Sequence, residues 1–349
     1  MRIQNGLLYA LSLVCFGTHA MGGRRSSTPN GDIFTAFEIP DALCGDGSPY
    51  SIYVREGNPE KVLLHFEGGG ACWSGQTCFG PIPFTDLHDT PGIFKNAYLG
   101  KHIGENPFQE YTYVYLPYCT GDMHSGSHKA RYKNQTVLHY GRENFTRALA
   151  WIEENKNALV SRADDVVLYG ESAGALGVLL NMDQISPVVK PQANKTALID
   201  SAGLHFNDDV WKRFTPAYLK DLDRSLNANA ILRSSTSGNL APQMKEFCDA
   251  NSDWKVGFTQ STQDIVMSAV FGKLTPIEHY FRVLGKNGLN KTLRDPNDNC
   301  SSWIPDSAKH MFSINKNGWE KETWDGVSNA QFTTDLINSR LLDQHLSHH

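Results

Sequence analysis

Beyond its first twenty residues the chain has no long apolar run. Leu7 to Phe16 is the nearest thing to one, well short of the ~20 residues a membrane span needs, so no transmembrane segment is expected. Positive charge is not in excess either. With 32 Lys and Arg against 37 Asp and Glu, the formal net charge is -5, which gives nucleic acid no electrostatic footprint. No Gly-Lys-Ser/Thr follows the glycine-rich turns, so a nucleotide P-loop is excluded. Zinc ligands are also wanting: Cys72 and Cys78 stand too far apart for the usual knuckle, and no matching Cys/His pair follows. Internal repeats, heptads, low-complexity domains and linkers are absent. What remains, at 40% hydrophobic residues and a mean hydropathy of -0.39, is a globular chain with ample core, read as one domain with insertions.

The opening segment, MRIQNGLLYALSLVCFGTHA, has the form of a secretory signal: Arg2 as the charged start, Leu7–Phe16 as the apolar centre, and Thr18-His19-Ala20 as the cleavage site. Removing Cys15 with it leaves Cys44, Cys72, Cys78, Cys119, Cys248 and Cys300. That even set suits an oxidising compartment, although spacing alone does not choose among the pairings. Asn-x-Ser/Thr sequons at Asn134, Asn144, Asn194, Asn290 and Asn299 are expected on exposed loops that could carry glycans.

Strand and helix signals then alternate. Gly22 to Gly31 is polar and reads as part of a loose lead. Lys61–Phe66 is a short apolar strand ending in Glu67-Gly68-Gly69-Gly70, and Tyr111–Pro117 is rich in β-formers. Tyr140–Asn155 has helical spacing at Phe145, Leu149 and Ile152. Strand Asp165–Tyr169, helix Ala173–Gln184 and strand Thr196–Ile199 follow. Pro216–Asn239 is expected to be helical and irregular, Pro276–Leu284 a helix, and Gly285–Pro305 a loop. This alternation predicts an α/β fold, a mostly parallel sheet covered by helices on both faces.

The chemistry centres on Gly170-Glu171-Ser172-Ala173-Gly174. A strand before and a helix after put Ser172 on a sharp turn that exposes Oγ, and Ala173 supplies an N–H at the helix start. The bland alternative is a turn serine between two glycines. Glu67-Gly68-Gly69-Gly70 follows an earlier strand, where an oxyanion loop would lie. Downstream, a base would come from His205, His279, His310, His345, His348 or His349. The last three fall in the tail, His279 reads as structural, and His310 follows a loop. Asp264 and Asp200 both remain candidate acids, because spacing ranks neither. Asp122-x-His124 suggests a metal, but a substrate-lining or hydrogen-bonded structural role suits it better, and nothing calls for a metal or cofactor.

The set HFEGGGACW (His65–Trp73), YCTGD-x-H-SG (Tyr118–Gly126), GESAGALGVLLNMD (Gly170–Asp183) and IDSAG (Ile199–Gly203) closely resembles the pectin acetylesterase/Notum family of secreted serine carboxylesterases, in the manner of its microbial members. The resemblance runs from about Cys44 to Ala330. It implies an α/β-hydrolase-like fold with signal 1–20, lead 21–43, catalytic domain 44–340 and frayed tail 341–349. It further implies nucleophile Ser172, acid Asp264, base His310 and an oxyanion hole from the N–H groups of Gly69, Gly70 and Ala173. Disulfides Cys72–Cys78, Cys248–Cys300 and Cys44–Cys119 follow by the same likeness. The implied partner is an ester substrate, acetate on a carbohydrate, handled outside the cell without nucleic acid or membrane span. Alternatives are a longer acyl group, an inactive binding protein on the same fold, and a serine protease.

Overall fold

The structure is a computed structural model that describes residues 23–28, 31–89, 91–92, 106–293, 299–314 and 316–338. The expected signal (1–20) and tail (341–349), with His345, His348 and His349, lie outside the described residues. A nine-stranded sheet forms the frame. Its strands are β1 (Arg24–Ser27), β2 (Ile33–Leu43), β3 (Pro49–Arg55), β4 (Asn58–Phe66), β5 (Tyr111–Leu116), β8 (Asp165–Glu171), β9 (Asn194–Asp200), β10 (Lys255–Thr259) and β11 (Cys300–Trp303), and the hairpin β6 (His128–Tyr132)–β7 (Gln135–His139) stands apart. The spatial order is β1-β2-β3-β5-β4-β8-β9-β10-β11. From β5 to β11 every neighbouring pair is parallel, while β1 to β5 pair antiparallel.

The central strand shows why this sequence makes this sheet. In DVVLYGE of β8, six of seven residues are buried, as expected of a parallel strand covered on both faces. Alternate residues take opposite sides. Val166 and Leu168 join one core with Phe145, Ile152, Val178 and Met182 from the helices Gly141–Asn155 and Ala173–Ile185. Val167 and Tyr169 join another with Trp319 and Leu336. The chain therefore forms one mostly parallel α/β sheet with helices on both faces.

Two segments depart from the expectation. The lead 21–43 is not loose: it contains β1 and the eleven-residue β2, which pairs with β3. Its pattern hides a strand because it lies towards the sheet margin, carries Pro40 and breaks register between Glu38 and Leu43, with Asp41 at φ 60°. The expected loop 285–305 contains the helix Leu289–Thr292 and the edge strand β11. Its CSSW is buried by pairing with β10 and by the disulfide at its first residue. All three disulfides are formed as expected: Cys44–Cys119, Cys72–Cys78 and Cys248–Cys300. Among the described residues no helix is long and apolar enough to cross a membrane.

Candidate active site

Four neighbouring parallel strands end on one edge of the sheet, and the candidate residues follow those ends: Ser172 after β8, Asp200 at the end of β9, Asp264 after β10 and His310 after β11. Ser172 sits between β8 and the helix Ala173–Ile185 with φ 55° and ψ −120°. Such a conformation costs a non-glycine residue on the order of 1–3 kcal/mol and persists only where its surroundings impose it. The flanking glycines are required by close approach. A Cβ on Gly174 would lie 1.9 Å from the Phe66 carbonyl oxygen, and one on Gly170 would lie 2.2 Å from that of Gly174. The N–H of Ser172 donates to the Asp200 carbonyl at 2.8 Å, and its own carbonyl accepts from Ala175 and Leu176.

Asp264 and His310 meet because the two loops that carry them run side by side. Backbone N–H groups of Gln260, Thr262, Gln263 and Ile265 donate to the carbonyls of Trp303, Pro305, Ser307 and Ala308. Asp264 Oδ2 lies 2.8 Å from His310 Nδ1. Its Oδ1 accepts the N–H groups of Val266 and Met267 at 3.1 and 2.9 Å, and the side chain is fully buried. A carboxylate so fixed leaves Nε2 of the ring as the site that takes or gives a proton. Of the other described histidines weighed as bases, His279 is buried with Nδ1 2.8 Å from the Thr262 carbonyl, and His205 Nε2 accepts the Leu289 N–H. Asp200 does not face a histidine in this way. Its carboxylate accepts backbone N–H groups of Phe312 and Ser313.

The glycine loop lies against the serine, since a Cβ on Gly68 would be 3.1 Å from Ser172 Cβ. The Gly68 N–H is already taken, at 2.9 Å, by Glu171 Oε1. Gly69 and Gly70 have φ 147° and 78°, and their N–H groups make no hydrogen bond to another described residue. Ala173 begins the helix, where N–H groups have no partner within the helix.

Sequence reasoning missed what holds this loop. Glu171 Oε2 is 2.6 Å from His65 Nε2, and His65 Nδ1 is 2.6 Å from the Tyr113 hydroxyl. Glu67 accepts the N–H groups of Gly92 and Tyr118 at 2.6 and 2.9 Å. Burial pushes Glu67 up to about 8 even though those donors favour the charged form. A detectable signal was present: a charged residue closes each of two apolar strands, β4 and β8, that pair in register. Asp122 accepts from Gly141 N–H and the Thr120 hydroxyl, both at 2.7 Å, while His124 Nε2 is 2.9 Å from the Glu67 carbonyl. Burial raises the Asp122 pKa and lowers that of His124. His124 thus acts as a strut under the loop, and Asp122 fixes the turn that carries it. Among the described residues no group of three or more His, Cys, Asp or Glu is arranged to hold a metal.

Beside the loop lies a narrow apolar pocket lined by Ala71, Leu176, Trp211, Phe214 and Phe271, among others. A Cβ on Gly70 would lie 3.1 Å from the Phe271 ring. The pocket's free volume is about 40 Å³, room for about three water-sized groups at roughly 10–15 Å³ each. Trp73 also lines this pocket, and on its other side it lines an open groove of about 480 Å³ with His128, Lys129, Arg131 and Lys133.

The sequons divide. Asn134 is exposed in the β6–β7 turn, Asn194 is exposed at the start of β9, and Asn290 is part-exposed in a short helix. Asn144 is no exposed-loop site. It is buried in the helix Gly141–Asn155, its amide exchanging hydrogen bonds with the backbone of Leu43. Asn299 donates its amide N–H groups to the Asn251 and Trp254 carbonyls.

The family model described as Pectinacetylesterase matches residues 30–248, a span that includes Ser172 and the glycine loop and stops before Asp264 and His310. Palmitoleoyl-protein carboxylesterase NOTUM of Schmidtea mediterranea is 28% identical over 188 residues, 50% of this chain and 33% of that protein. Pectin acetylesterase 4 of Arabidopsis thaliana is 26% identical over 227 residues, 58% of this chain and 52% of that protein. The Homo sapiens palmitoleoyl-protein carboxylesterase NOTUM is 31% identical over 154 residues, 41% of this chain and 29% of that protein. The chain thus spans between about a third and a half of the length of the curated relatives it matches.

Proposed function

The chain belongs to the pectinacetylesterase family, and from that premise we propose that it is a secreted serine carboxylesterase that removes acetate from an acidic polysaccharide such as pectin. What supports this reading is that Ser172 on its constrained turn, the glycine loop, whose Gly69 and Gly70 N–H groups make no hydrogen bond among the described residues, and the His310–Asp264 pair all follow strand ends on one edge of the sheet. His310 takes the Ser172 proton as Oγ attacks the ester carbonyl. Asp264 orients the imidazolium, and Gly69, Gly70 and Ala173 hold the oxyanion. The alcohol leaves with the proton from His310, and water releases the acyl group by the same route. Three disulfides and the leader-like first twenty residues support an extracellular setting.

The pocket volume favours a short acyl group, since room for about three water-sized groups takes an acetyl methyl but not a fatty chain. Its lining, apolar but for Arg213, favours a second reading, a longer acyl chain admitted by movement of Phe214 or Phe271. Initial rates on p-nitrophenyl esters from acetate to palmitate, for the mature protein and Ser172→Ala, separate the two. A maximum at acetate, lost in the variant, is the expected result, and a long-chain maximum selects the second reading. Absence of serine-dependent hydrolysis on every ester overturns both and leaves a binding protein on this fold.

A further inference from the structure

The IDSAG motif at the end of β9 is not part of the Ser–His–Asp set, yet it sits between its members. Adjacent strands lie about 4.8 Å apart, so three strand spacings put the end of β11 roughly 14 Å from that of β8. A base that leaves the sheet from β11 must be carried back across β10 and β9 before it can serve a serine on β8. The chain turns at Met311, which has φ 68°, and what catches it there is Asp200-Ser201. Asp200 Oδ2 accepts the N–H groups of Phe312 and Ser313, each at 2.9 Å, and Ser201 Oγ accepts that of Met311 at 3.1 Å. On its other side the same residue holds the nucleophile turn, since its carbonyl accepts the Ser172 N–H at 2.8 Å. Thr259 and Ser201 hydroxyls donate to Asp200 Oδ1 at 2.7 and 3.1 Å and fix the carboxylate.

We propose that Asp200 is a positioning residue: it joins the nucleophile turn to the His310 segment and sets the base in register with Ser172. The inference rests on the serine-esterase reading above. Asp200 is buried at 1% exposure. Burial raises its pKa while its four donors oppose that rise, in keeping with a group retained for geometry. Asp200→Asn turns its NH₂ group to the Thr259 and Ser201 hydroxyls, which no longer donate to it, and leaves a neutral oxygen that holds the Phe312 and Ser313 N–H groups less firmly than the carboxylate does, so the 310–313 segment shifts. A displacement of about 1 Å at a reacting group can cost roughly a hundredfold in rate.

The test is steady-state kinetics on p-nitrophenyl acetate for wild type, Asp200→Asn, Ser172→Ala and His310→Ala, with rates normalised to folded protein. Downfield proton NMR of the His310 Nδ1–Asp264 hydrogen bond accompanies it. Asp200→Asn is expected to lower kcat by about a hundredfold with little change in KM, and to broaden or remove the His310 resonance. A purely structural role would move neither per folded molecule, and wild-type kcat with the resonance in place overturns the inference. If Ser172→Ala or His310→Ala keeps wild-type rates, the esterase reading fails and takes the inference with it. If both are inactive while Asp200→Asn is normal, the inference fails alone. Should Asp200→Asn not fold, Ser201→Gly decides instead. Glycine suits the φ of 60° at that position and removes both the acceptor of Met311 and one of the two hydroxyls that fix the Asp200 carboxylate. A fall in kcat at unchanged KM supports the proposal, and a wild-type kcat overturns it.

Discussion

Glu67 shows how a single buried charge can tune the loop that precedes Gly69 and Gly70. Two backbone donors stabilise its carboxylate, but desolvation is the larger effect, and it titrates near 8 rather than at the usual 4.5. In the unfolded chain the proton leaves near 4.5, so between the two values the folded protein binds more protons than the unfolded one. Stability from this group is therefore fully present below about 4.5 and is lost as pH rises through about 8, at up to ~1.4 kcal/mol per pH unit. Glu67→Gln cannot titrate. Its Tm relative to wild type should rise steadily from pH 5 to pH 8, whatever the fixed cost of losing one acceptor for the N–H of Gly92 or Tyr118. Differential scanning calorimetry on both proteins across that range would check it, and parallel Tm–pH curves would show that Glu67 is ionised in the fold.

At the level of elements, the disulfides staple pieces that packing alone holds unequally. Cys248–Cys300 ties the helix Met244–Ala250 to the first residue of β11 across 52 residues, whereas Cys72–Cys78 closes only six. If chain entropy governs, the long loop contributes about 4 kcal/mol and the short one about 2. Cys248→Ser/Cys300→Ser should then lower the urea midpoint about twice as far as Cys72→Ser/Cys78→Ser, and equal shifts would refute the entropic account here. The same edge strand marks the limit of what the sequence discloses. The apolar strands β4, β5 and β8, the serine turn and the glycine loop are written in local pattern, because each buries its own side chains or needs its own glycines. Strand β11 is not, since CSSW has no apolar alternation and owes its burial to β10 and Cys248. Asp264 and His310 were matched only through family likeness. Their pairing depends on two loops bound backbone to backbone, which leaves no mark in residue type or spacing. Asp200 and Asp264 stayed equivalent candidates for the same reason. Only the third dimension separates a carboxylate that faces a histidine ring from one that faces peptide N–H groups.

Across the whole molecule, the apolar pocket beside the glycine loop and the open groove meet at Trp73, and on the proposed esterase reading the groove would take the alcohol half of the ester. The groove is bounded by one face of the β6–β7 hairpin, on which Lys129, Arg131 and Lys133 alternate and are exposed. The hairpin is fixed beneath by His139, whose ring nitrogens meet the Tyr132 hydroxyl and the Thr120 carbonyl. The nearby acid, Asp221, is turned inward: it bonds to His128 Nδ1 at 2.7 Å and to the Ser127 N–H, which leaves the three cations without an ion pair among the described residues. An aromatic wall beside a row of cations suits a sugar chain bearing carboxylates better than a neutral one. Exposed charges are each worth roughly 0.2–1 kcal/mol and are screened by salt. Replacing all three by Gln should therefore raise KM for acetylated polygalacturonate about tenfold at low ionic strength and flatten its salt dependence. Rates on p-nitrophenyl acetate and on neutral acetylated xylan should stay unchanged, because neither presents a row of carboxylates. Equal losses on all three substrates would mean that the substitutions disturb the fold or the serine site. Unchanged KM on the anionic polymer would place its binding elsewhere on the surface.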